Sequence, residues 1–138
     1  MTLHALRADA LSSTSDGFVL RLSLPWIRSL PIASLAGPAV QIDGVPSGPL
    51  LAQIGDRSIP SDALVHERGW WFVQDRVVLR GRTRVTPGAA HEVAVAFELI
   101  VPYLQSGPDG PLRLPFTASR TLVTDAPTTV ATVSRDAA

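Results

Sequence analysis

The sequence predicts an all-β protein: an antiparallel, immunoglobulin-like β-sandwich with at most one or two short helical turns. Three observations carry this. Residues 91–103, HEVAVAFELIVPY, alternate so that His91, Val93, Val95, Phe97, Leu99, Val101 and Tyr103 share one face, while Glu92, Ala94, Ala96, Glu98 and Ile100 share the other. Strand-like segments recur at fairly regular intervals, and the twelve prolines fall mostly in the turns between them, as short strands joined by turns require. No stretch shows the apolar spacing of an amphipathic helix. Two sheets packed about 10 Å apart would give the alternating faces something to bury against.

In chain order, residues 1–16 read as an N-terminal arm or an edge strand. Asp16-Gly17 signals a turn, and 17–24 then alternates, with Phe18, Leu20, Leu22 and Leu24 on one face. Pro25 cannot donate to a ladder, so the strand ends there. Residues 25–38, PWIRSLPIASLAGP, form a proline-punctuated connection with one helical turn near 32–36. Asp43-Gly44 is a type I′ hairpin signal between short extended segments. Residues 50–54 are short enough for a minor strand, and Ser61 is placed to cap a brief helix over 61–64. Residues 70–85 have the length and composition to pair with 91–103 as a long antiparallel hairpin through the turn Thr86-Pro87-Gly88. A breaker-rich loop at 106–111 precedes a last strand at 112–123, and 124–138 reads as an extended or frayed tail.

A chain of 138 residues without internal repeats or linkers is expected to be one domain, 1–138, large enough to bury a core without staples. Its formal charge is zero, from 12 basic and 12 acidic residues, which argues against nucleic-acid binding, because that requires excess positive charge. The same balance leaves little charge repulsion to keep an isolated chain apart, which fits life in a complex. With no cysteine there is no disulfide framework, thiol nucleophile or thiolate metal site. The amino terminus lacks the pattern of a signal peptide and no apolar run approaches a membrane span, so a cytoplasmic location is expected.

Candidate chemistry is sparse. His4, His66 and His91 are the only histidines, and His66-Glu67 and His91-Glu92 put neighbouring side chains on opposite faces of a strand, where neither pair chelates one ion. His91 is expected to cap the start of its strand, and a shared site or small enzyme built on His66 and His91 is the enzymatic alternative. No Gly-x-Ser-x-Gly elbow and no glycine-rich phosphate loop is present. Asp56, Asp62 and Glu67 lie in segments without the apolar packing that raises a carboxyl pKa. No catalytic residue, metal ligand or cofactor is therefore assigned to this chain. In an unbroken strand over 70–85, Trp71, Val73, Val77 and Leu79 form one face and Trp70, Phe72, Gln74, Arg76, Val78, Arg80, Arg82 and Arg84 the other, with a slip at Asp75 able to spoil the register. The second face mixes aromatics with arginines, the composition of binding hot spots. It reads equally as a solvated face on which Arg stems cover rings. Trp26 and Arg28 form a second such pair. Trp26, Arg28, Trp70, Phe72, Arg80 and Arg82 are the candidate partner-facing residues, and a stand-alone carbohydrate- or protein-binding module using Trp70 and Trp71 is the alternative.

The order of these features resembles the small β subunit of the bacterial C-glycoside deglycosidases, over roughly 17–123. The residues carrying the resemblance are GFVLRLSLPWIRSLPIASL, VQIDGVP, the Trp70-Trp71-Phe72 strand, TPGAAHEVAVAF and Tyr103. The chain departs from the pattern in the loops, chiefly 50–65, and at Trp26, where a tyrosine is expected. The resemblance implies a two-subunit carbon–carbon lyase. A separate oxidoreductase makes the 3-oxo sugar, and the deglycosidase then removes the C2 proton and expels the aromatic aglycone from C1. A divalent metal, manganese, would polarise the ketone as a Lewis acid. Metal and acid–base residues are expected on a sugar-isomerase-like TIM-barrel α subunit, which this chain would brace, helping to exclude water from its pocket.

Overall fold

The computed structural model describes residues 5–105 and 110–127. The strands are β1 (Leu11–Ser13), β2 (Phe18–Ser23), β3 (Leu30–Pro31), β4 (Leu35–Ile42), β5 (Val45–Pro46), β6 (Leu51–Ile54), β7 (Arg57–Pro60), β8 (Trp70–Trp71), β9 (Arg76–Gly81), β10 (Ala90–Gln105) and β11 (Pro111–Val123), with 3-10 turns at Ile32–Ser34 and Ser61–His66. The all-β expectation holds. One sheet runs β1-β2-β9-β6-β7, a second β11-β10-β4-β5, and β3 pairs with β8 as a separate ribbon. Every pairing between described strands is antiparallel.

Alternation decides which face each strand buries. Val93, Val95, Phe97, Leu99 and Val101 of β10 are buried and meet Phe18, Leu20 and Leu22 of β2 and Val77 and Leu79 of β9 in one core between the sheets. Each such side chain removed from water contributes about 1.5–3 kcal/mol. Phe97 also stacks on its cross-strand partner Phe116, with ring centroids 5.8 Å apart.

Residues 70–85 do not form the expected hairpin with β10. β9 instead pairs with β2 and β6 in the other sheet, and β10 pairs with β11 and β4. Both β9 and β10 are rich enough in apolar residues to want two neighbours, and placing them in opposite sheets lets each bury its row against the other layer. Nor is 70–85 one strand. Asp75 N–H donates to Phe72 O (2.9 Å) and Trp71 Nε1 donates to Asp75 O (3.2 Å), closing a turn that separates β8 from β9. The break falls at Asp75 as foreseen, yet the phase is kept: Trp71, Val77 and Leu79 are buried as alternation expects, Val73 in the turn is exposed, and Arg76 and Val78 are buried as well. Arg76 tolerates burial because its Nη1 lies 3.0 Å from Asp9 Oδ1 in the N-terminal arm.

Two further local expectations are corrected. β4 begins within the proline-punctuated connection, because Gly37 and Pro38 together oppose Phe97: Ala96 pairs with Ala39 and Glu98 with Ala36. The extra residue is a β-bulge, and Gly37 at φ +58° supplies the left-handed backbone it needs. Ser61 opens a 3-10 turn but does not cap it; Pro60 holds the N-cap position without a side-chain hydrogen bond. The Asp43-Gly44 turn has φ +53° and +81°, as a type I′ hairpin requires. Residues 106–109 of the predicted loop and 128–138 of the predicted tail lie outside the described residues. Among the described residues, no helix is long and apolar enough to cross a membrane.

Two aspartates stitch strand ends together. Asp43 Oδ2 accepts from His91 Nδ1 (2.7 Å) and Oδ1 from Glu92 N–H (2.9 Å), while Asp125 accepts from the Ser13 hydroxyl and from Ser13 N–H (2.8 Å). The hydrogen bonds from His91 and then Glu92 hold the Asp43 carboxyl below its ordinary value, and those from Ser13 do the same for Asp125. As pH falls through about 4 the unfolded chain binds protons before the folded one, so this stability is present above that pH and lost below it. The urea midpoint should therefore drop more steeply between pH 5 and pH 2.5 in the native chain than in an Asp43→Asn, Asp125→Asn variant. At Gly17 an added Cβ would collide with the Gly81 carbonyl oxygen and lie 2.8 Å from Arg82 Cα, both backbone atoms. Gly17→Ala is expected to cost about 1–3 kcal/mol in chemical denaturation.

Candidate functional site: an open aromatic end

One end of the molecule leaves large apolar side chains uncovered. The segment after β2, the turn after β8 and the far end of β10 meet there. Pro25 stops β2 and turns the chain outward, so Trp26 packs partly on the core while Ile27 is 76% exposed. Trp26 Nε1 donates to the Tyr103 hydroxyl (2.6 Å), and the Arg28 guanidinium stands over the Tyr103 ring, 5.8 Å from its centroid. The β3–β8 ribbon sets Pro31 beside Trp70, and Val73 N–H donates to Ser29 Oγ (3.1 Å), which locks the Trp70–Asp75 segment against the Trp26 loop. Trp70 is 54% exposed, and Phe72, Val73 and Leu104 are exposed as well.

Such a surface is unusual for a chain that works alone, because contiguous exposed apolar area favours association. It is also largely pre-organised. A hydrogen bond and a cation–π contact restrict Trp26, Tyr103 and Arg28, so less side-chain freedom is lost when a partner covers them.

The six candidate residues divide between two places. Trp26, Arg28, Trp70 and Phe72 come together at the aromatic end. Arg80 and Arg82 do not join them: β9 meets Ser23 of β2 at Arg76 and Phe18 at Gly81, so these arginines sit at the far end of the same strands. There they line a cleft of 640 Å³ with Asp16, Phe18, Leu50 and Ser58. Sequence alternation grouped them with Trp70 and Phe72 because it assumed one unbroken strand. Ile27, Val73, Tyr103 and Leu104 were missed as members of this surface, although an Ile between Trp26 and Arg28 in a proline-bounded loop is a legible signal.

Among the described residues, the two histidines are engaged or placed elsewhere. His91 donates from Nδ1 to Asp43 and accepts at Nε2 from Thr86 N–H (3.1 Å), so both ring nitrogens are engaged in holding the start of β10, as its expected capping role requires. His66 is exposed at the end of the second 3-10 turn, and His4 lies outside the described residues. Glu67 pairs with Arg57 (3.0 Å). Among the described residues, no group of three or more His, Asp or Glu side chains could hold a metal ion. The carbohydrate platform imagined for Trp70 and Trp71 fails as well, since Trp71 is 0% exposed and only Trp70 reaches solvent.

Fold and site together define a small all-β protein with an exposed aromatic and arginine surface at one end. No family model matches the chain. Three relatives do, each over about two thirds of its length. It is 38% identical over 96 residues to the C-glycoside deglycosidase beta subunit of Arthrobacter globiformis, covering 66% of this chain and 73% of that one. It is 34% identical over 88 residues to the C-glycoside deglycosidase beta subunit of Microbacterium trichothecenolyticum, 62% and 67% of the two chains. It is 30% identical over 100 residues to a 3'-dehydrocarminate deglycosidase beta subunit of a Microbacterium species, 70% and 75% of the two. The chain belongs to the family of C-glycoside deglycosidase beta subunits, and those names imply an alpha-subunit partner.

The two adjacent tryptophans should behave oppositely. Trp71→Ala empties a buried site and is expected to destabilise the chain by about 3–5 kcal/mol, whereas Trp70→Ala should stay within about 0.5 kcal/mol, both measured by urea unfolding.

Proposed function

We propose that this chain is the non-catalytic subunit of a heteromeric, metal-dependent C-glycoside deglycosidase acting on 3-oxo-C-glycosides in the cytoplasm. It docks a sugar-isomerase-like TIM-barrel α subunit through its aromatic end. The observation that carries this reading is the exposed cluster of Trp26, Ile27, Arg28, Trp70, Phe72 and Tyr103 in a chain whose relatives are named as beta subunits. Tryptophan, tyrosine and arginine dominate the energetics of protein interfaces, because each covers much area while losing little freedom or keeping a polar handle.

The chemistry is assigned to the partner. Removal of the C2 proton beside the 3-oxo group and departure of the aglycone carbon from C1 need an acid–base pair and a Lewis acid, expected as manganese. The described residues of this chain offer no donor set for that ion. Its own contribution is mechanical and electrostatic: it braces the barrel and excludes water, which strengthens every charge interaction in the partner's pocket.

Co-expression with the α subunit should give a stable complex that cleaves a 3-oxo-C-glucoside and loses activity to a chelator, while the purified single chain is inert. Trp70→Ala with Phe72→Ala should weaken the complex by about 2–4 kcal/mol in a binding titration, and Arg80→Ala with Arg82→Ala should leave it nearly unchanged. Chelator-resistant activity of the single chain would overturn the assignment. So would saturable quenching of its tryptophan fluorescence by saccharide.

A further inference from the structure

We propose that β11 pairs edge to edge with β11 of a second copy of this chain, joining two four-stranded sheets across a two-fold axis at Ser119. The contact lies away from the aromatic end. Thr117 to Thr121 pair with residues 92–96 of β10, well before that strand reaches Tyr103.

The backbone phase of β11 can be read from its neighbours. Pairing with β10 is continuous from Ala90–Val123 to Val101–Leu112. Thr124, in phase with the even-numbered residues, donates to Ala89 O (2.8 Å) and accepts from Gly88 N–H (3.1 Å), so even residues direct their backbone groups toward β10. Odd residues direct theirs away, as Asp125 does when its N–H reaches Leu11 O (2.9 Å). Pro115 agrees with this phase, because a proline in a sheet belongs where no donor is needed. The Val123 carbonyl is taken by Ala126 N–H (3.3 Å). Among the described residues, the outward N–H and C=O groups of Thr117, Ser119 and Thr121 have no backbone partner, which makes this edge a template for another strand.

The occupant follows from self-complementarity. An antiparallel copy centred on Ser119 sets Thr117 opposite Thr121 of the second copy, for about six new backbone hydrogen bonds with Ser119 itself. It places Pro115 beyond this ladder, against the exposed Val123 of the second copy, and Phe116 against Leu122. Arg120 meets Ala118 rather than a like charge, and Arg113 approaches the turn carrying Asp125. Moving the axis to Arg120 would oppose two arginines. Moving it to Ala118 would bring Pro115 into the ladder opposite Thr121, where a donor is lost. A formal net charge of zero does not oppose association of copies.

The chain has no cysteine, so a disulfide-linked dimer of this chain can form only through an introduced thiol. In the complex with its partner subunit, and in the full chain alone, Ser119→Cys should form a disulfide-linked dimer of this chain under mild oxidation, while Gln41→Cys, exposed on β4 of the same sheet, should not. Ser119→Pro removes an outward donor as Pro115 does. It should keep the native circular dichroism and halve the number of these chains per particle in light scattering. Crosslinking no better than the Gln41→Cys control, crosslinking to the partner subunit instead, or an unchanged particle mass for a folded Ser119→Pro would each overturn the proposal. Should Ser119→Pro fail to fold, the cysteine pair alone decides.

Discussion

The apolar row of β10 is the constraint on which the rest depends. Val93, Val95, Phe97, Leu99 and Val101 must leave water together, because a strand that alternates over this length cannot turn only part of one face inward. That requirement puts an opposing layer under the row, and β2 and β9 supply it with Phe18, Leu20, Leu22, Val77 and Leu79. It also calls for neighbours on both sides, which β4 and β11 provide. The bulge at Gly37 and Pro38 keeps β4 in register with this row past a proline that could not otherwise sit in a ladder.

Polar groups hold the margins. Asp43 binds the start of β10, Asp125 binds β1, and Asp9 neutralises Arg76 where β9 begins. Each lies where a strand ends and backbone groups would otherwise face solvent unpaired. The exposed Asp43 and Asp125 contacts add little energy individually, whereas the largely buried Asp9–Arg76 pair cannot lose one partner cheaply; all three sit at strand ends, near where loops emerge. The aromatic end is one such place: β2 stops at Ser23, β9 starts at Arg76, and beside the Trp26 loop the chain leaves Trp70 and Phe72 exposed while Trp71 stays in the core.

A surface built this way suits a subunit. Its aromatic side chains are partly pre-ordered by a hydrogen bond and a cation–π contact, and the described residues gather no metal-binding group of His, Asp or Glu beside it. Membership of the deglycosidase beta subunits gives that surface a context in which a partner is implied. The cleft that holds Arg80 and Arg82 lies at the opposite end of β9 and is a separate feature of the fold.

Alternation and turn chemistry act within a few residues, so the sequence by itself determined the all-β class, the buried row of β10, the β2 face, the Asp43-Gly44 hairpin and the break at Pro25. It also singled out Trp26, Arg28, Trp70 and Phe72. Which strand lies beside which is a competition among many apolar rows of similar strength, and only the tertiary structure decided it. β9 joined β2 and β6 rather than β10, and the Asp75 turn exposed Val73, buried Arg76 and Val78, and sent Arg80 and Arg82 to the other end. A period of two tells a residue's face relative to its neighbours in one strand. It does not tell whether the opposite face is covered too. Trp71, Val77 and Leu79 are buried as the period expects, but so are Arg76 and Val78, because the cover on that second face comes from residues distant in sequence, as when Asp9 pairs with Arg76.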